Sequence, residues 1–154
     1  MKHKVVHTCL ATLFAIGLVV SIAAPAHAGG RCSLALSAGH FGFTDNGTVV
    51  GIGPRTAVGV FTLDGAGSLV DGVATSSLNG SIAQETFSGT YTVNTDCTGT
   101  GAATIYSSGT ETLALTFNLS FDDNMKEMRA IFTSATLPDG TPLPTVINLQ
   151  ARKQ

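Results

Sequence analysis

Leu113-Ala114-Leu115-Thr116-Phe117-Asn118-Leu119-Ser120-Phe121 decides the fold. Its five large apolar residues share one parity, and small or polar residues take the other. That period of two is the pattern of a strand with one buried face. Wound as a helix, the same five residues would spread around the whole circumference. The period recurs at Gly59, Phe61 and Leu63, at Phe87, Gly89, Tyr91 and Val93, at Met128, Ala130 and Phe132, and at Ile147, Leu149 and Ala151. Beyond residue 30 no stretch places apolar residues at i, i+3, i+4 and i+7 through three turns. The chain after its first segment therefore reads as all-β.

Residues that tolerate positive φ or bond their own backbone separate these runs. They are Asp45-Asn46-Gly47, Asp64-Gly65-Ala66-Gly67, Asn79-Gly80, Ser108-Gly109, Asp122-Asp123-Asn124 and Pro138-Asp139-Gly140. The intervals predict eight strands, over 33–44, 56–64, 68–77, 81–94 with a bend at Gly89, 100–107, 110–121, 126–135 and 145–152. Short links predict antiparallel hairpins between sequence neighbours. Residues 51–54 and the proline-rich 137–144 are the expected crossings or flaps. Eight sequential strands with one apolar face have two common solutions, a closed antiparallel up-and-down barrel of the calycin type or a β-sandwich. Closure removes both exposed edges, which suits a chain with few edge-guarding charges. Glycines at 39, 42, 59, 72 and 89 fit the sharp coiling of a small barrel. The barrel is the expected fold and the sandwich its alternative.

Composition bounds the setting. Charged residues make up only 12% of the 154, against a usual share near 25%. Lys2 and Lys4 precede an apolar run over residues 9–24, and Pro25 stands before the small-x-small site Ala26-His27-Ala28. This predicts a cleaved signal peptide over 1–28 and a single β-barrel domain over 29–154, with an uncleaved anchor as the rival reading. Without Lys2 and Lys4 the chain carries six cations against ten carboxylates, a net charge of −4. Such a balance gives no electrostatic footprint for nucleic acid or anionic lipid. With no tryptophan and two tyrosines, the chain lacks the aromatic girdles of an outer-membrane barrel. The expectation is a secreted or periplasmic protein, not membrane-embedded after cleavage, with its oligomeric state open. Cys32 and Cys97 are the only cysteines beyond the leader, and in an oxidising compartment they are expected to form a disulfide. A metal or redox site would need closer spacing or more ligands.

Candidate chemistry is sparse. His40 is the only histidine beyond the leader, and a bulge at Gly39 would decide whether it faces inward or outward. Tyr91 and Tyr106 offer hydroxyls to a barrel interior, and together with His40 they are the candidate ligand-binding residues. Asp122-Asp123-Asn124 and Glu127 lack the spacing of a calcium loop, and adjacent carboxylates on a strand point apart. Asp64 and Asp96 read as turn residues that bond backbone N–H groups. No G-x-S-x-G elbow, phosphate-binding glycine loop or H-E-x-x-H is present, so no catalytic residue, metal or cofactor is assigned.

Phe61-Thr62-Leu63-Asp64-Gly65-Ala66-Gly67 and Gly89-Thr90-Tyr91-Thr92-Val93-Asn94-Thr95-Asp96-Cys97-Thr98-Gly99 resemble segments of a group of small exported bacterial β-proteins. The likeness spans roughly residues 35–135. Some members resemble allene-oxide-cyclase-like or lipocalin-like barrels in shape, which implies a barrel here and carries over no activity. The expected function is non-enzymatic: binding of a small apolar ligand in the barrel, or service as an envelope or surface binding module. A cyclase- or isomerase-like barrel enzyme and a protein-binding inhibitor are the alternatives. An eight-stranded barrel is just wide enough to be filled by side chains or to hold one small ligand.

Overall fold

The computed structural model describes residues 32–154, so the leader expected over 1–28 lies outside the described residues. Eight strands follow in chain order: β1 (Gly39–Val49), β2 (Gly53–Leu63), β3 (Ser68–Leu78), β4 (Ser81–Tyr91), β5 (Thr98–Ser107), β6 (Thr110–Asp122), β7 (Glu127–Thr136) and β8 (Thr145–Lys153). Each pairs antiparallel with its neighbour, and β1 also pairs with β8, so the sheet is a closed up-and-down barrel. Of the two predicted architectures the barrel is the one observed. No helix among the described residues is long and apolar enough to cross a membrane.

Turns alternate between two ends. The upper end carries the 50–52 turn, Asn79-Gly80, Ser108-Gly109 and the 137–144 loop. Both residues of Asn79-Gly80 (φ 48° and 87°) and of Ser108-Gly109 (φ 51° and 79°) lie in the left-handed region, as two-residue hairpins with the twist of their strands require. The lower end carries turns 64–67 and 92–97 and the 3₁₀ turn Asp123–Met125. Asp64 and Asp96 act there as turn residues, accepting hydrogen bonds from the Ala66 and Ser68 amides and from the Thr98 amide.

Three local expectations are corrected. Residues 33–38 do not open the first strand: they form a one-turn helix, α1 (Leu34–Ser37), because the Ser33 hydroxyl caps it by accepting the Leu36 N–H at 3.3 Å. Asp45-Asn46-Gly47 is not a turn but lies inside β1. Gly47 answers to close packing there, since a Cβ would overlap the Val146 carbonyl on β8. Residues 51–54 form neither a crossing nor a flap: they complete a tight hairpin, with Pro54 opposite Thr48 in the ladder.

Alternate residues of every strand point inward, and the lower half of the interior is apolar. Phe41 and Phe61 stack with ring centroids 5.5 Å apart, and Phe121, Leu63 and Met125 close around them. A Cβ on Gly72 would overlap the Phe87 ring, and one on Gly101 the Phe117 ring, so these strand glycines make room for phenylalanines in a narrow barrel. Helix α1 plugs the lower end. The Ser37 hydroxyl donates to the Leu34 carbonyl at 2.7 Å, which leaves its oxygen to accept the Tyr91 hydroxyl at 2.8 Å. A disulfide from Cys32 to Cys97, 65 residues apart in sequence, ties the plug to the β4–β5 turn.

By restricting the unfolded chain, a loop of that length stabilises the fold by about 4 kcal/mol on the chain-entropy account. The double variant Cys32→Ser/Cys97→Ser is therefore expected to melt about 10–20 °C below the oxidised protein in a calorimetric scan.

Candidate functional site

The upper half of the interior is built differently. Asp45 on β1, Arg55 on β2, Ser76 on β3 and Glu85 on β4 all occupy inward positions on four consecutive strands. Their side chains meet. Arg55 forms a two-pronged bond to Glu85, Nη1 to Oε1 at 3.0 Å and Nη2 to Oε2 at 2.9 Å. Its Nη2 also reaches Asp45 Oδ2 at 3.4 Å. Ser76 donates its hydroxyl to Glu85 Oε1 at 2.7 Å. The three charged side chains are 3–12% exposed, so water screens them little.

The two carboxylates respond in opposite ways. Burial alone would raise Glu85, but the Arg55 prongs and the Ser76 hydroxyl hold it below the ordinary glutamate range. Burial pushes Asp45 up and the Glu85 charge adds to that, while the longer contact with Arg55 and, more weakly, the Ala57 backbone amide oppose it without prevailing. Burial works against the charge on Arg55, and its two carboxylate partners outweigh burial, so it stays protonated. Asp45 Oδ1 is buried and has no hydrogen-bond donor among the protein groups. A bidentate pair and a surplus carboxylate thus share one wall.

That wall faces a cavity of about 50 Å³, otherwise lined by apolar side chains that include Phe43, Phe61, Phe87, Leu115, Phe117 and Met128. One water needs roughly 10–15 Å³ by this kind of measure, so the space holds a few waters or a small chemical group. Phe132 and Leu149 line its side and are half-buried. They sit beside the shortest ladder of the barrel. The β7–β8 ladder runs only from Glu127 opposite Arg152 to Ile131 opposite Asn148. Above it β7 bonds the 137–144 loop instead, with the Leu143 amide donating to the Ala135 carbonyl at 2.8 Å.

The residues singled out in the sequence lie elsewhere. His40 faces outward, because β1 begins at Gly39 and turns Phe41 inward; its Nδ1 meets the Thr62 hydroxyl at 2.9 Å. Tyr91 points inward at the lower end, where its hydroxyl is bound to Ser37. Tyr106 falls at a bulge opposite Glu111 and is half-buried. None of the three lines the cavity. Asp122 and Glu127 pair at the surface with Arg129 and Arg152, at 2.9 Å and 3.4 Å. Among the described residues no cluster of three histidines, cysteines or carboxylates could hold a metal ion. The sequence reading missed Asp45, Arg55 and Glu85. A signal existed: each shares parity with an inward phenylalanine of its own strand, Phe43, Phe61 and Phe87.

No protein-family model and no curated protein matches the chain. Solved structures that resemble it include two designed-barrel complexes. A redesigned beta barrel, mFAP1, bound to DFHBI, has a TM-score of 0.51 at 19% identity, covering 79% of this chain and 98% of its own. EF1p2_mFAP2b bound to DFHBI has a TM-score of 0.57 at 15% identity, covering 81% and 98%. At these identities the likeness is one of fold. The chain is a closed eight-stranded antiparallel barrel with a buried ionic cluster beside an apolar cavity.

Removing the guanidinium leaves two buried carboxylates facing each other, a loss of about 3–5 kcal/mol for a broken buried pair. Arg55→Met should lose that much at pH 7. In this variant both carboxyls take folded pKa values above their unfolded ones, so stability falls as pH rises through the unfolded values near 4 and returns on acidification. Urea unfolding at pH 7 and at about pH 4.5 checks this: the deficit relative to the parent should shrink at the lower pH.

Proposed function

We propose that the protein binds a small, largely apolar molecule inside the upper half of its barrel and performs no chemistry on it. The observation that carries this reading is the cavity itself, apolar on most sides with a few polar groups converging on one wall, the arrangement typical of small-molecule sites. The two solved neighbours are complexes with a small molecule, DFHBI, which supports a binding role for the shared architecture. The short β7–β8 ladder supports a way in beside Phe132 and Leu149, and an occupant larger than a few waters requires these two side chains to turn aside. The disulfide supports an oxidising compartment, in keeping with an export leader over 1–28. Catalysis finds less support, since Glu85 is locked in a two-pronged pair with Arg55 and, among the described residues, no further acid, base or nucleophile lines the cavity to work with Asp45.

Titration with indole and with benzyl alcohol, followed by amide shifts in heteronuclear NMR, tests this reading. Saturable one-to-one binding is expected, with shifts concentrated at Phe43, Phe87 and Leu115. Ala103→Phe, which fills the cavity from β5, should abolish binding while the folded spectrum persists. Shifts confined to the outer face, or the absence of saturation with either probe, overturn the proposal.

A further inference from the structure

We infer that the cavity selects molecules bearing a protonated amine, with the spare oxygen of Asp45 as their counter-ion. This deepens the proposed binding role and rests on it. Three observations lead to a cationic donor. The first is the orphaned acceptor. Asp45 lines the cavity with its side chain 3% exposed, and Oδ1 receives no hydrogen bond from the protein. A buried acceptor left unmade is costly, and a donor on the occupant would supply the missing bond. The second is charge balance. Glu85 and Arg55 neutralise each other through two short bonds, while Asp45 receives only the longer 3.4 Å contact to the same guanidinium. With all three ionised, the wall carries one unmatched negative charge.

The third observation is the aromatic layer below the cluster, carried by three of the same strands, β1, β2 and β4. The rings of Phe43, Phe61 and Phe87 pack against one another at 5.6–6.2 Å around the same space. Aromatic faces attract cations and give nothing to anions. An anion would meet the surplus carboxylate in a space lined by aromatic rings that offer it no donor. A neutral alcohol could bond Oδ1 but would leave its charge unmatched. A small ammonium on an aromatic or aliphatic body satisfies the hydrogen bond, the charge and the apolar lining together. Folding has already taken most of the carboxylate out of bulk water, so the incoming amine bears the larger desolvation cost on binding.

Benzylamine, benzyl alcohol and benzoate have similar shape and size and differ in charge. Calorimetric or NMR titration of the oxidised protein at pH 7 should rank the amine about tenfold tighter than the alcohol, with benzoate unbound, because charge-assisted bonds exceed neutral ones by about that factor. In Asp45→Asn the tenfold preference should vanish while alcohol binding remains. A second reading uses the unaltered protein. Between pH 8 and pH 4 the amine stays protonated, so its affinity should fall as Asp45 takes up a proton, and the alcohol's affinity should not follow it. Arg55 and Glu85 are the charged groups facing Asp45, with the Ala57 amide beside its carboxylate, and Glu85, held low by Arg55, stays charged through most of that range. Equal affinity for amine and alcohol, or a preference that survives in Asp45→Asn, overturns the inference and leaves the interior site standing. Failure of all three probes to bind overturns both.

Discussion

Pairing of β1 with β8 is the constraint from which the other features follow. The ladder runs without a shift from Phe41 opposite Lys153 to Val49 opposite Thr145, and it turns an open sheet into a tube. In an open sheet a charged residue on the apolar face near an edge can twist toward water. In a closed barrel of eight strands every second side chain is committed to one narrow interior. A carboxylate at Asp45 or Glu85 then has to find its partner within that interior. Arg55, on the strand beside Asp45 and two strands from Glu85, is what the closed geometry supplies.

Closure also divides the molecule into two unequal halves. The lower half is sealed three times over, by stacked phenylalanines, by helix α1 with its Ser37–Tyr91 bond, and by the disulfide from Cys32 to Cys97. The upper half holds the ionic cluster, the unfilled space and the seam where β7 leaves β8 for the 137–144 loop. A buried ion pair contributes little net stability once desolvation is counted. The secure lower end therefore offsets an upper end whose packing and charge are not arranged for stability. A covalent tie at the upper end would instead have stiffened the hairpins that surround the cavity.

The repeating alternation made the strand count and the antiparallel hairpins legible, because an inward parity leaves its mark on every strand, and closure was legible from the scarcity of edge-guarding charges and the strand glycines. Leu115, Phe117, Leu119 and Phe121 face the core as their spacing requires. Cysteine count and compartment together gave the disulfide. Boundaries were less legible where one residue serves two purposes. Asn46-Gly47 has the chemistry of a hairpin turn, yet Gly47 is small because β8 passes against it. Ser33 could stand in a strand or cap a helix, and only the space beneath the barrel decides between them. The site was hidden by the same ambiguity. Reading Asp45 as a turn residue removed it from the inward row of Phe41 and Phe43, and without Asp45 the charges at Arg55 and Glu85 looked scattered. A tyrosine or histidine draws attention by its chemistry. Here parity was the better guide, since an acid or base in phase with the core phenylalanines has nowhere else to go.

That rule bears on why the cluster is present at all. Replacing a buried ionic group with apolar side chains of like volume is often neutral or stabilising. A barrel of this diameter can be filled with leucine and phenylalanine, as its own lower half shows. A design for stability alone would therefore place apolar residues at 45, 55, 76 and 85. Instead these positions carry two acids, one base and a hydroxyl, and their mutual bonds leave one acid incompletely satisfied. Arg55 has a structural explanation, since it answers Glu85, and Ser76 has one too, since it completes Glu85's shell. Asp45 has none within the protein. It raises the local negative charge, lies at 3.4 Å from a guanidinium already engaged, and buries an oxygen without a donor. A group that costs the folded chain stability and lines its interior space is understood most simply through what enters that space.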